Sequence, residues 1–375
     1  MWIGRKRLSI PYLDDVFFLG IIKSGDLMAK MKAVVKSKPG HGAELVEMET
    51  PSPGPDQVLV KVLATSICGT DLHIYEWNEW AQNRIKNFPQ VMGHELCGEI
   101  VELGKNVSHL SKGDVISAET HIACGHCYLC QTGNKHICIN GKIFGVDING
   151  VFAEYAVVPA ANAWKLDKKI PRDYASVMEP LGNAIHTVLA GEITGTTVLV
   201  TGCGPIGIMS IAVAKLCGAT KIIATEINDY RIQLARKVGA DIVLNPKETE
   251  VVEKIMETTD GLGVDVVLEM SGSPAAIQQG FNSLRPGGRF SILGIPDKPM
   301  QIDLGKDIIF KYATVQGING RLMFSTWYKT SRFLSSGRLD LEPIITHRFR
   351  LEEFEKGMEL MRSGNCCKIL LYPQQ

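Results

Sequence analysis

What this chain lacks narrows its class before any motif is read. It has no excess of charge of either sign, with 40 Lys plus Arg set against 40 Asp plus Glu. Nothing in that balance marks a binder of nucleic acid or of an anionic membrane. No apolar run reaches the roughly 18 residues that would suggest a bilayer-spanning helix. A disulfide framework is missing too: Cys97, Cys203, Cys217, Cys366 and Cys367 are scattered without a pattern. That scatter fits a reducing compartment, and the expected location is cytoplasmic. What remains is 375 residues with 45% hydrophobic and 21% charged content, an ordinary globular composition long enough for two domains. The 37 glycines cluster in turn-like places, favouring an α/β protein with tight connections over a helical bundle.

The first 28 or so residues stand apart. Arg5-Lys6-Arg7 followed by Val16–Ile22 superficially resembles a signal peptide. However, Asp14 and Asp15 interrupt the approach, and no small-residue cleavage site follows. An ordinary start is readable at Met28 or Met31, so residues 1–28 are read as a dispensable extension.

From Lys32 to about Val158 the chain shows short strand-like runs separated by Gly, Pro and Asp. They include Gln57–Leu63, Gly98–Leu103, Asp114–Ser117 and Ala153–Val158. That rhythm predicts an irregular β-barrel-like domain. From Thr197 it changes to five-residue apolar runs alternating with amphipathic segments, which predicts βαβ units on a parallel sheet. The strands fall at Val198–Thr201, Lys221–Glu226, Ile242–Leu244, Val264–Glu269 and Arg289–Leu293. Helices fall at Ile206–Cys217, Tyr230–Val238, Glu248–Thr258 and Pro274–Leu284.

Four cysteines are the exception to the scatter. Cys124, Cys127, Cys130 and Cys138 follow C-x2-C-x2-C-x7-C, too close to pair sensibly as disulfides and well spaced to wrap one tetrahedral ion. Four thiolates leave zinc no open position, so this metal should hold a loop and do no chemistry.

Gly202-Cys-Gly204-Pro-Ile206-Gly207 follows one predicted strand and opens a helix, as a dinucleotide fingerprint requires. Its glycines should make the turn, admit the pyrophosphate and let helix pack on strand. Glu226 ends the next strand, where a carboxylate accepts from ribose hydroxyls and repels a 2′-phosphate. That argues for NAD over NADP. Arg231 is placed for either the ribose or a 2′-phosphate.

A second metal site has to be assembled from separated residues. Cys68-Gly-Thr70-Asp-Leu-His73 follows a strand, and Gly93-His94-Glu95 lies further on. A thiolate, an imidazole and a nearby carboxylate suit zinc with a position left for water or substrate. Glu179, just before the nucleotide-binding half, is a candidate to complete it. Taken alone, Cys68 also reads as a buried thiol and His94 as a satisfied core imidazole.

Together these motifs, in this order and over nearly all of the chain after Met31, resemble the zinc-dependent medium-chain alcohol dehydrogenases. Tyr75–Ala81, Lys142–Asp147, Glu179–Ala184 and Gly317–Arg321 resemble one branch, which oxidises the 3-hydroxyl of L-threonine with NAD. The resemblance implies a GroES-like catalytic domain, residues 29–176 and 321–375, and a doubly wound Rossmann domain, residues 177–320. It implies two Zn2+ per subunit, one structural and one catalytic, the latter on Cys68, His94 and Glu95. Thr70 and His73 would relay the proton, and Glu179 would either ligate zinc or act on it through a neighbour. For NAD it implies contacts at Gly202, Gly204, Ile206, Gly207, Glu226, Arg231, at Leu293, Gly294 and Ile295, and at Ile318 and Asn319. It also implies a homotetramer, with the later nucleotide-domain strands as interface. For the ammonium and carboxylate of the small-molecule substrate, His121, Glu119 and Tyr75 are candidates by proximity to the motifs. The competing readings are a polyol or secondary-alcohol dehydrogenase, such as a sorbitol dehydrogenase, and an NAD-binding protein that has lost turnover.

Overall fold

The computed structural model describes residues 30–375, so the reading of residues 1–28 as an extension lies outside the described residues. Two sheets organise the chain. The first has seven strands, with the path Ala163–Lys165, Val115–Ala118, Glu95–Leu103, Gln57–Ile67, Lys368–Tyr372, Ile345–Arg350 and with Tyr155–Pro159 on the other edge of Gln57–Ile67. Gln57–Ile67 alternates only over Val60–Ala64 and is buried on both faces towards its ends, and register shifts at Leu59/Val60 and Val62/Ala64 bend the long strand. The last strand, Lys368–Tyr372, pairs antiparallel with this central strand, so the chain's tail returns to the first of the two sheets after the second has been built. Periodicity could not place that tail, because register between distant strands leaves no local signature.

The second sheet is parallel and six-stranded, in the order Ile242–Leu244, Lys221–Thr225, Thr197–Thr201, Val264–Glu269, Leu284–Ile292, Thr314–Gly317. That is the doubly wound order, with its switch point between Thr197–Thr201 and Val264–Glu269. Val198–Thr201 and Ile222–Thr225 are buried without alternation, as strands covered by helices on both faces must be. The predicted strands all form. The strand predicted from Arg289 begins earlier, at Leu284, and Thr314–Gly317 was not predicted. The latter is a mostly exposed edge of four residues, too short and polar to carry a periodic signal.

One apolar cluster joins the two sheets. Cys97 and Leu370 of the first share this cluster with Met178, Leu181 and Trp327, with Val200 and Leu268 of the second, and with Met209 on the helix Pro205–Leu216. The helix Met178–Val188 runs through this junction, and Arg289 of the parallel sheet donates to the carbonyls of Thr187 and Val188 at its far end. The helix is therefore fixed at both ends, with Glu179 in its first turn between the sheets.

Candidate active site

Antiparallel pairing builds the open metal cluster. Ser66 pairs with Glu95, so Cys68, just past the end of one strand, and His94, just before the start of the next, emerge at the same edge. The ligand atoms of Cys68, His94 and Glu95 all lie within 4.8 Å of one another. His94 and Glu95 are buried and Cys68 is partly so.

Each side chain has a support. The Cys68 amide donates to Asp71 Oδ2 at 2.9 Å, while Asp71 Oδ1 lies 3.7 Å from His94 Nδ1. Burial works against a charged His94, but the Asp71 carboxylate and Cys68 outweigh it and push the imidazole up to about 10. Glu95 Oε2 accepts from Lys368 Nζ at 2.6 Å and from the Ser66 hydroxyl. Lys368 reaches in from the tail strand, is itself buried, and also donates to the Ile67 carbonyl. Burial pushes the Glu95 carboxyl up against the pull of Lys368. Glu95 Oε1 is buried with no hydrogen-bond partner. An unpaired buried carboxylate oxygen beside a thiol and an imidazole is costly without a cation, and this donor set fits a zinc ion.

Thr70 and His73 lie on the helix Gly69–Glu76 that Cys68 opens. Thr70 Oγ1 is 3.9 Å from Cys68 Sγ, and His73 Nδ1 is 2.8 Å from Asn78 Nδ2. The Asn78 contact fixes the ring and leaves its other nitrogen free of that bond.

The four-cysteine loop closes on itself. Cys127 Sγ is 3.5 Å from Cys130 Sγ and 3.7 Å from Cys138 Sγ, and Cys138 Sγ is 3.5 Å from Cys124 Sγ. Four sulfurs at these separations fit one tetrahedral ion.

Arg321, which no motif in the sequence marks out, sits almost fully buried between the two halves of the site. Its guanidinium donates to Glu179 Oε1 at 2.5 Å, to Asn183 Oδ1 at 3.0 Å and to both oxygens of Glu119. Trp327 Nε1 also donates to Glu119, at 2.6 Å, and His121 Nδ1 lies 3.0 Å from both Glu119 Oε1 and Arg321 Nη2. Burial pushes the Glu119 carboxyl up, but Arg321 and His121 outweigh it and hold it well below the usual carboxylate range. Glu119 is thus consumed by its neighbours and has no face for a substrate. Tyr75 likewise belongs to the core, packed with Ile74 and Met92 and edge-on to His41. Proximity in sequence misplaced both. His121, the third candidate, borders an open cavity.

At the switch point the glycines behave as their spacing predicts. Gly202 has φ +86°, a left-handed turn. A Cβ on Gly207 would meet the Gly202 carbonyl oxygen at 2.0 Å, so helix and strand touch there. A Cβ on Gly204 would meet nothing within 4 Å: the cradle is open where a pyrophosphate would approach. The helix Pro205–Leu216 that follows has no side-chain cap, leaving its N-terminus to a ligand. Glu226 accepts from the Cys203 amide at 2.9 Å and from the amides of Ile227 and Asn228, which ties the glycine turn to the next strand's end. Arg231 Nε nearby is buried without a partner. Leu293 and Gly294 both donate to the Glu269 carbonyl, and Ile318 donates to that of Ile292. The loops carrying Ile295 and Asn319 therefore leave the same edge of the sheet.

A doubly wound sheet with an open glycine cradle, joined to a buried Cys-His-Glu cluster, defines a metal-dependent dehydrogenase of the pyridine-nucleotide class. The chain belongs to the zinc-binding dehydrogenases: residues 205–336 match the model "Zinc-binding dehydrogenase" and residues 54–168 match "Alcohol dehydrogenase GroES-like domain". It is 57% identical over 342 residues to L-threonine 3-dehydrogenase of Pyrococcus horikoshii, covering 91% of this chain and 98% of that protein. Among solved structures it is similar to "short chain alcohol dehydrogenase (rspB)" of Escherichia coli CFT073 complexed with NADH, at TM-score 0.84 and 30% identity, covering 92% and 99% of the two chains. It is similar also to 2R,3R-butanediol dehydrogenase of Bacillus subtilis, at TM-score 0.83 and 30% identity, covering 92% and 100%.

Proposed function

We propose that this protein oxidises the 3-hydroxyl of L-threonine to 2-amino-3-oxobutanoate with NAD as hydride acceptor. The observation that carries the reading is the 57% identity to a threonine dehydrogenase across nearly the full length of both chains. In this reading Cys68, His94 and Glu95 hold a catalytic zinc, and Cys124, Cys127, Cys130 and Cys138 hold a structural one. When bound, zinc supplies a Lewis acid that acidifies the substrate hydroxyl, and the nicotinamide takes up the hydride.

This chain's residues supply the rest. Thr70 Oγ1 accepts the hydroxyl proton as it gives up its own, and His73, held by Asn78, takes the released proton on towards solvent. Glu179 stays beside the cluster on Arg321 and adds negative charge there, which favours a bound cation. Glu226 meets the adenosine ribose and disfavours a 2′-phosphate, supporting NAD over NADP. Ile206, Leu293–Ile295, Ile318 and Asn319 line the cofactor's path along the sheet edge.

The protein works as a homotetramer in the cytoplasm in this reading. Support for self-association comes from the edge strand Thr314–Gly317, which has one neighbour and lies next to the exposed Phe310 and Tyr312. A second copy pairing there would continue the sheet and cover those rings.

The test is a substrate panel on the zinc-loaded protein. L-threonine with NAD should give the highest kcat/KM, above sorbitol and 2,3-butanediol, and NADP should be the poorer cofactor. Preference for a polyol or a diol would overturn the threonine assignment.

A further inference from the structure

We propose that His186 is a positioning residue for hydride transfer: its hydrogen bond to the Gly320 carbonyl sets where the segment Ile318–Arg321 stands against the reacting end of the cofactor. The inference rests on the reading that Ile318 and Asn319 border the cofactor. It is independent of which alcohol is oxidised.

The helix Met178–Val188 presents one face to that segment. Glu179, Gly182, Asn183 and His186 recur at helical spacing, so they line one side of it. Glu179 Oε1 and Asn183 Oδ1 both accept from Arg321 Nη1, at 2.5 Å and 3.0 Å. Gly182 leaves room for the arginine's stem: a Cβ there would meet Arg321 Cδ at 2.5 Å. One turn further on, His186 Nδ1 lies 2.8 Å from the Gly320 carbonyl oxygen. A carbonyl only accepts, so Nδ1 carries the proton and the ring donates. Burial pulls the His186 pKa down further than that carbonyl raises it, which keeps the ring neutral without removing the donor. Gly320 has φ +57°, and a Cβ on it would meet His121 Cε1 at 3.0 Å, so the turn is held between two imidazoles.

The same helix is tied to what holds each reactant. Glu179, in its first turn, is close enough to His94 and Glu95 to act on the charge of both. About 10 Å along the axis, at roughly 1.5 Å per residue, His186 grips the main chain of the cofactor segment. Arg289 of the parallel sheet holds the carbonyls of Thr187 and Val188 beside it, so the helix is not free to slide on that sheet. Ile318 is fixed to the sheet by its bond to the Ile292 carbonyl, and Asn319 is left exposed between two held residues. The helix thus spaces the metal cluster from the segment that borders the cofactor. Hydride transfer depends steeply on that spacing, since a misplacement of about 1 Å can cost 10²-fold in rate. Arg321 grips the segment through its side chain alone; His186 fixes the peptide next to Asn319.

The test uses the zinc-loaded full chain and three variants: His186→Leu, His186→Asn, whose amide N–H falls near Nδ1, and His186→Gln, whose N–H falls near Nε2. The substrate is L-threonine with hydrogen or deuterium on carbon 3, or 2R,3R-butanediol labelled at its carbinol carbons should the wild type ignore threonine. His186→Leu should lower kcat about tenfold and weaken NADH binding, read by fluorescence, about fivefold, the effect of one lost hydrogen bond. The deuterium isotope effect on kcat should rise, because the hydride step becomes slower, while KM for the alcohol barely moves. His186→Asn should restore most of the rate and affinity, and His186→Gln should not. That pair decides the matter even if His186→Leu fails to fold. In hydrogen exchange, NADH should protect the amides of residues 318–321 in the wild type and protect them less in His186→Gln. Wild-type kcat, isotope effect and NADH affinity in His186→Leu, even with a lower melting temperature, overturn the positioning role alone. Equal behaviour of the Asn and Gln variants also overturns it, since the ring's bulk would then matter and its donor would not. If NADH leaves exchange at 318–321 unchanged in the wild type, the reading that this segment borders the cofactor falls, and the inference falls with it.

Discussion

The two cysteine-bearing clusters of this molecule are built in opposite ways. The lobe takes all four sulfurs from one stretch, Cys124 to Cys138, where local turns are enough to gather them. Its supports are mostly main-chain: the Cys124 amide donates to Cys138 Sγ at 3.3 Å, and no buried carboxylate is needed. The open cluster takes Cys68 from one strand end and His94 and Glu95 from another strand's start. Buried side chains stand behind each, Asp71 behind His94 and Lys368 with Ser66 behind Glu95. A site of four identical ligands can be encoded by spacing alone. A site that leaves room for a substrate must be held from outside, and here three separate segments do the holding.

The largest expected effect separates the two clusters directly. Cys68→Ser should reduce turnover by about 10³-fold or more, since a Lewis acid contributes several kcal/mol to such a step. NAD binding, followed by fluorescence of the reduced cofactor, should stay close to wild type because the glycine cradle lies on the other sheet. Cys127→Ser should instead lower the melting temperature and zinc content while the enzyme that stays folded retains most of its kcat. If Cys127→Ser cost as much turnover as Cys68→Ser, the division into scaffold and reaction site would be wrong.

The next effect probes the support behind Glu95. Lys368→Met removes the cation from a fully buried carboxylate and should destabilise the metal-free protein by about 3 kcal/mol. With zinc bound at the cluster, a second positive charge remains close to Glu95, so the loss should be smaller. Thermal unfolding of the metal-free and zinc-loaded forms of wild type and variant measures that difference. An equal loss in both forms would mean that Glu95 does not face the metal.

How much of this was legible depended on distance along the chain. The lobe, the glycine cradle and the alternation of strands and helices are written within windows of twenty residues or fewer, and the structure bears the fold out. Arg321 and Lys368 were not legible as site residues. Each is a lone basic residue whose partners lie far away in sequence, Glu119 and Glu179 for one and Glu95 for the other. What joins them is packing at the junction of two sheets and the pairing of the tail strand with Gln57–Ile67. Glu119 and Tyr75 show the converse. They lie near the motifs in sequence, but burial turned one towards Arg321 and the other into the core.

The smallest effect concerns the support behind His94, and its sign follows from linkage. In the metal-free site burial lowers the His94 pKa, yet Asp71 and Cys68 raise it more, to about 10. Zinc binds only neutral imidazole, so below that value each bound ion must displace a proton from this ring. That proton alone contributes a climb in zinc affinity at the open cluster of about tenfold per pH unit as pH rises from 7 towards 9, beside whatever the Cys68 thiol and Glu95 give up on binding. Asp71→Asn removes the largest raising influence, and the His94 pKa falls towards its ordinary value. Over the same range little proton then remains to be displaced, and the slope should drop by close to one. The variant should also bind zinc more weakly at pH 9, about 10- to 100-fold, because the imidazole has lost a carboxylate that orients it. Chelator competition at several pH values measures both quantities. The lobe is an internal control, since Asp71 touches none of its sulfurs and its pH dependence should be the same in both proteins. A slope unchanged by Asp71→Asn would mean that Asp71 does not set the protonation of the ring, and that the open cluster depends less on outside support than its contrast with the lobe implies.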